Sequence, residues 1–111
     1  MKVFISQPIT GLTEKQVLST RNKAIYEIIK LYGRDVEILN SYFVNDYRTQ
    51  IENTMQVKRW DIFWLSQSLE IMSNADLIWM CNGWQNSKGC NIERNCAKLY
   101  GIPIAYSTKG E

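Results

Sequence analysis

Short apolar runs, bounded by Gly, Pro and Asn, alternate along this chain with longer stretches whose apolar residues recur at helical spacing. Lys2–Ser6 (KVFIS) is the first short run, and Gln7-Pro8 ends it, so it predicts a strand. Thr13-x-x-Gln16 has the residue types of a capping box. Val17, Leu18, Ala24, Ile25, Ile28, Ile29 and Tyr32 follow at the spacing of one helix. Gly33 suits the left-handed position just past a helix end. Val36–Asn40 (VEILN) predicts a second strand. From Ser41 to about Met55 the chain is polar and aromatic without a clear period, which predicts a long loop. At about 15 residues such a loop is more often functional than idle.

The second half repeats the alternation. Gln56 to Met72 predicts a helix, with Trp60, Ile62, Phe63, Trp64, Leu65, Leu69, Ile71 and Met72 as its apolar residues. Ala75–Cys81 (ADLIWMC) is nearly continuous in apolar residues, as expected of a strand covered on both faces. Asn82–Gly89 is turn-rich. Cys90–Tyr100 predicts a third helix closed by Gly101, and Ile102–Tyr106 a fourth strand. The order βαβαβαβ implies an α/β domain with a parallel sheet, right-handed crossovers and helices on both faces. Proline is tolerated at a sheet edge, and Pro103 lies in the fourth strand. That favours the doubly wound, flavodoxin-like order 2-1-3-4 within one domain over residues 1–111. Ligands of such sheets bind where the winding reverses, beyond the carboxyl ends of the first and third strands. The loops there, Gln7–Leu12 and Asn82–Gly89, hold three of the six glycines and one of the two prolines.

Composition removes whole classes of function. The chain has 111 residues, 45% hydrophobic and 22% charged, which is ordinary for one small globular domain. A net charge of +2 with scattered basic residues does not make a surface for a nucleic-acid polymer. No apolar run is long enough for a membrane span, and the N-terminus lacks a signal-peptide layout. Three cysteines and no histidine argue against a disulfide framework and against a zinc site. The expectation is a cytoplasmic protein without metal or organic cofactor. Without histidine, acid–base chemistry falls to carboxylates, lysine, tyrosine or bound water.

The densest chemical signal is Ser87-Lys88-Gly89-Cys90-Asn91-Ile92-Glu93, where the loop after the third strand enters the third helix. A helix N-terminus presents free N–H groups and partial positive charge. Ser87 and Gly89 would let backbone approach a phosphate or sugar oxygen closely. Glu93 is expected in the first turn, where the helix field favours its ionised form, and a carboxylate in a crevice can act as a nucleophile. A glutamate there also complements the helix dipole with no chemistry implied. Trp84 either stacks on a ligand base or anchors its own loop. Tyr42, Phe43 and Tyr47 either stack on a ligand or close over it.

Several segments together carry a family likeness: MKVFISQPITG at Met1–Gly11, Ala75-Asp76, Gly83-Trp84 with Ser87-x-Gly89-x-x-x-Glu93, and Gly101-Ile102-Pro103-Ile104. In these the chain resembles the nucleoside 2-deoxyribosyltransferase-like superfamily, which includes the 2′-deoxynucleoside 5′-phosphate N-hydrolases and small phage and bacterial domains. The resemblance covers nearly the whole chain in element order. It implies a nucleoside or nucleotide substrate whose N-glycosidic bond is cleaved or transferred, with Glu93 attacking C1′ of the sugar. It further implies that Ser87 and Gly89 hold the 5′ end, and that Ser6, Gln7, Ile9 and Gly11 line the sugar and base pocket. Asn40-Ser41-Tyr42 is similar to the Asn-Ser-Tyr stretch of the transferases, which adds Tyr42 to the expected binding residues. Relatives complete their pockets with a neighbouring subunit, so a homodimer or higher homo-oligomer is expected, with Trp60 and Trp64 as its surface.

One position departs from the pattern. Active members carry an aspartate eight residues before Asp76, and here that position is Ser68. Asp76 opens the third strand, roughly 15–20 Å from the crevice, and is expected to bond backbone there. Asp61 lies two helical turns before Ser68 on nearly the same face and is the better substitute for the catalytic acid, with Asp46 second, although a carboxylate at either position is more often simply solvated at the surface. Two functions therefore stand side by side: a glutamate-dependent N-glycosidic enzyme, and a nucleotide-binding module that senses or sequesters without turnover.

Overall fold

The computed structural model describes residues 1–108. Its elements run β1 (Lys2–Ser6), α1 (Glu14–Tyr32), β2 (Glu37–Ile38), α2 (Asn45–Thr54), α3 (Trp60–Met72), β3 (Leu77–Met80), a 3₁₀ turn (Trp84–Asn86), α4 (Lys88–Leu99) and β4 (Ile104–Tyr106). The four strands form one parallel sheet in the order β2-β1-β3-β4. Pro103 precedes the edge strand β4, and its carbonyl still accepts from Ile78 N–H at 2.9 Å.

Period-two alternation divides β1 between two cores. Val3 and Ile5 join Leu77 and Trp79 of β3, and Cys81 just past it, against Ala24 and Ile28 of α1. Phe4 joins Ile78 and Met80 on the opposite face, against Met72 of α3 and Cys90 and Ala97 of α4. Helices thus cover both faces. The same alternation sends Ser6 toward α4 and Gln7 toward α1, which decides what each can touch.

Helix α1 starts as its sequence predicts. The Thr13 hydroxyl accepts from Gln16 N–H at 3.1 Å, and the Gln16 side chain accepts from Thr13 N–H at 2.9 Å. Gly33, at φ 91°, ends it.

Two expectations are corrected. The stretch from Ser41 to Met55 is not one loop, because Asn45–Thr54 forms α2. None of its residues is buried, so no apolar period announces it. It is held by polar and aromatic contacts: Asn45 N–H donates to Glu14 at 2.8 Å, and the Trp64 indole donates to Glu52 at 2.8 Å. The expected oligomer surface on α3 is altered as well. Trp64 is buried within the chain, with Phe43 at 5.1 Å and Tyr47 at 6.1 Å between ring centroids. Trp60 stacks on it at 6.3 Å.

Candidate active site

Helix α4 begins at Lys88, not Cys90, and this moves its residues relative to the helix end. Ser87 is the N-cap, its hydroxyl accepting from Cys90 N–H at 3.2 Å. Glu93 consequently sits in the second turn. Cys90, Glu93 and Ala97 form the buried stripe of α4. Glu93 therefore takes a core-facing position and is only 7% exposed.

Its partner comes from the first strand. The Ser6 hydroxyl, 1% exposed, donates to Glu93 Oε1 at 2.6 Å. Burial is the dominant influence on the carboxyl and pushes its pKa up to about 7, against the downward pull of Ser6. The expected first-turn place, where the helix field favours the ionised form, is corrected: in the second turn that field is weaker, and burial opposes the charge. Cys90 lies beside the pair, with Ser6 and Ser87 against its thiol, and burial raises its pKa too.

The two expected walls meet. Besides the Ser6–Glu93 bond, a Cβ placed on Gly83 would stand 3.5 Å from Pro8 Cγ, so the loops after β1 and β3 are in contact. Gly83 adopts φ 88°, a conformation that a side chain would strain. Gly89 has open space where a side chain would be. Gly11 adopts φ 81° within the turn closed by Leu12 N–H donating to Ile9 carbonyl at 3.1 Å.

Other expected residues are committed elsewhere. Gln7 is turned to α1, where its Nε2 donates to Val17 carbonyl at 2.9 Å and its buried Oε1 has no partner among the described residues. Tyr42 is buried and donates its hydroxyl to Glu14 at 2.8 Å. Burial and that bond push its pKa up to about 12. Trp84 packs against the core around Phe4 and carries Arg94 over its ring at 4.7 Å, so it serves as an anchor of its own loop. Arg94 also donates to the Tyr106 hydroxyl at 2.8 Å. Asp61 and Asp46 lie exposed in the first turns of α3 and α2, and no hydrogen bond ties either to the Ser6–Glu93 pair among the described residues. Asp76 bonds backbone at the strand entrance, accepting from Lys2 N–H at 2.7 Å.

Residues 1–106 match the family described as DUF4406, a domain of unknown function. The chain belongs to that family. No curated protein and no solved structure matches it. The matched region of this DUF4406 chain includes both strands and both loops that frame Glu93.

Asn91 has no role assigned by the sequence, and Arg21 reads there as a crevice-facing or, more often, solvated helix residue, yet both brace the frame of the DUF4406 site. Asn91 fastens the loop before α4, its Nδ2 donating to the carbonyls of Trp84, Gln85 and Ser87 at 3.3, 3.0 and 2.8 Å. The signal was its place in the first turn after a turn-rich loop. Arg21 is buried rather than solvated and donates to Leu39 carbonyl at 2.8 Å and Ser41 hydroxyl at 3.3 Å. Its spacing from Val17, Ala24 and Ile28 puts it in the buried stripe of α1. Burial lowers its pKa. No cluster of potential metal ligands forms among the described residues, and none of their helices is long and apolar enough to cross a membrane.

Proposed function

We propose that this domain cleaves or transfers the N-glycosidic bond of a nucleoside or nucleotide, with Glu93 as the nucleophile. The observation that carries the reading is the burial of Glu93 against Ser6, at the junction of the β1 and β3 loops where ligands of doubly wound sheets bind. The likeness of Met1–Gly11 and Ser87-x-Gly89-x-x-x-Glu93 to nucleoside 2-deoxyribosyltransferase-like enzymes supplies the substrate class.

In this reading a Glu93 oxygen bonds to C1′ as the bond from C1′ to the base nitrogen breaks. The bonding pair leaves with the base, which takes up a proton. Water or a second base then attacks C1′, loses a proton that balances the one the leaving base gained through solvent, and releases the carboxylate. The open surface at Gly89 and the N–H groups at the start of α4 suit a 5′-hydroxyl or 5′-phosphate. A carboxyl titrating near 7 is shared between its forms at neutral pH, and its ionised form is the reactive one.

A second reading, ligand binding without turnover, is favoured by a separate observation. Glu93 is the one buried carboxylate among the described residues, so no second shielded acid stands ready to protonate the leaving base. A homo-oligomer completing the pocket fits either reading, and sedimentation tests it.

The deciding experiment incubates the chain with deoxynucleosides and their monophosphates and follows free base by chromatography. Release that disappears in Glu93→Ala supports the enzyme. Ligand-dependent rise of the melting temperature without release supports the binding module. Neither effect removes both.

A further inference from the structure

We propose that Ser6 is a positioning residue: its hydroxyl fixes the Oε1 edge of Glu93 and leaves Oε2 as the oxygen that attacks. The proposal deepens the reading of Glu93 as nucleophile and rests on it. It also changes the role expected of Ser6, which was to line the substrate pocket.

Three observations carry it. A serine hydroxyl has one proton to give, and at 2.6 Å that proton is given to Oε1. Ser6 is 1% exposed, so a substrate in the crevice does not reach it. Its backbone is pinned as well, its carbonyl accepting from Cys81 N–H at 2.9 Å and its strand register set opposite Met80. The hydroxyl is thus a fixed point on β1 against which the α4 side chain is held. Among the described residues no bond reaches Oε2, and Glu93 keeps a small share of exposed surface.

The surroundings leave Ser6 the principal polar influence on this carboxyl. Cys90, on the same helix, touches Ser6 but is held neutral by its own burial. Arg94, next in sequence, is turned outward to Trp84 and Tyr106. Arg21 and Cys81 belong to the opposite, α1 face of the sheet. A hydrogen bond donated to a carboxylate stabilises its ionised form, so Ser6 also keeps Glu93 reactive at lower pH than burial alone would allow.

The test is a carbon-detected NMR titration of the Glu93 carboxyl in the wild-type chain, Ser6→Ala and Ser6→Cys. The cysteine variant keeps most of the volume and only a weak donor, which covers the case that alanine unfolds the strand. Wild-type Glu93 should titrate near 7, and both variants about one unit higher. Identical titration in the wild type and a folded variant overturns the proposal. Where base release is present, its acid limb should move up with the carboxyl, lowering kcat about tenfold at pH 6 and KM less than about twofold. A change in KM alone would make Ser6 a substrate contact and overturn the positioning role. Absence of base release in the wild type contradicts the nucleophile reading, whereas the titration judges Ser6 in either case.

Discussion

Ser6 on β1 and Glu93 on α4, 87 residues apart, are joined by a 2.6 Å hydrogen bond between two buried side chains. It links the first strand to the last helix at the carboxyl end of the sheet. The group it holds is an acid whose charged form the fold resists, and this has consequences for stability as well as chemistry.

Glu93 has a folded pKa of about 7 against an ordinary value of 4.5. The folded state therefore binds its proton more tightly than the unfolded chain does. The resulting stability is fully present below pH 4.5 and is lost as pH rises through 7. The difference is on the order of 3 kcal/mol. Urea denaturation of the wild type between pH 4.5 and 8 should show this decline, and Glu93→Gln should flatten it. An equal decline in the variant would assign it to other groups.

Arg21 ties α1 to the backbone after β2 through Leu39 carbonyl and Ser41. Arg21→Ala removes buried donors and leaves their acceptors unpaired. The expected loss is roughly 2–4 kcal/mol of unfolding free energy. Chemical denaturation checks it, and a loss below about 0.5 kcal/mol, as for an ordinary surface residue, would contradict the structural role.

Glu14 receives both the Tyr42 hydroxyl and Asn45 N–H, and so clasps α2 to α1. Glu14→Gln should bring the Tyr42 pKa down from about 12 toward its ordinary 10. It should also speed amide exchange across residues 45–54 relative to the core strands. Ultraviolet titration and hydrogen exchange read the two effects. Unchanged Tyr42 ionisation would mean that burial alone raises it.

The parallel sheet, its order and the start of α1 were legible because each rests on a local rule: β runs ended by Gly or Pro, a capping box, and proline at an edge strand. Helix α2 was not, since its residues are mostly polar with none buried, and tertiary contacts at Glu14 and Trp64 hold it. At the site, the meeting of the two loops followed from topology. The placement of Glu93 did not. A start two residues earlier puts it in the second turn and the buried stripe, where desolvation controls its charge. The same stripe logic applied to Val17, Ala24 and Ile28 would have found Arg21.

The central claim is that Glu93 attacks a sugar carbon, and a covalent intermediate is its most direct sign. The wild-type chain and Glu93→Gln should be acid-quenched after brief incubation with deoxynucleosides or their monophosphates, then measured by intact and peptide mass spectrometry. A gain of one deoxyribosyl unit on the peptide containing Glu93, absent in the variant, is the predicted result. Free base released while that peptide stays unmodified and the variant remains active would contradict it.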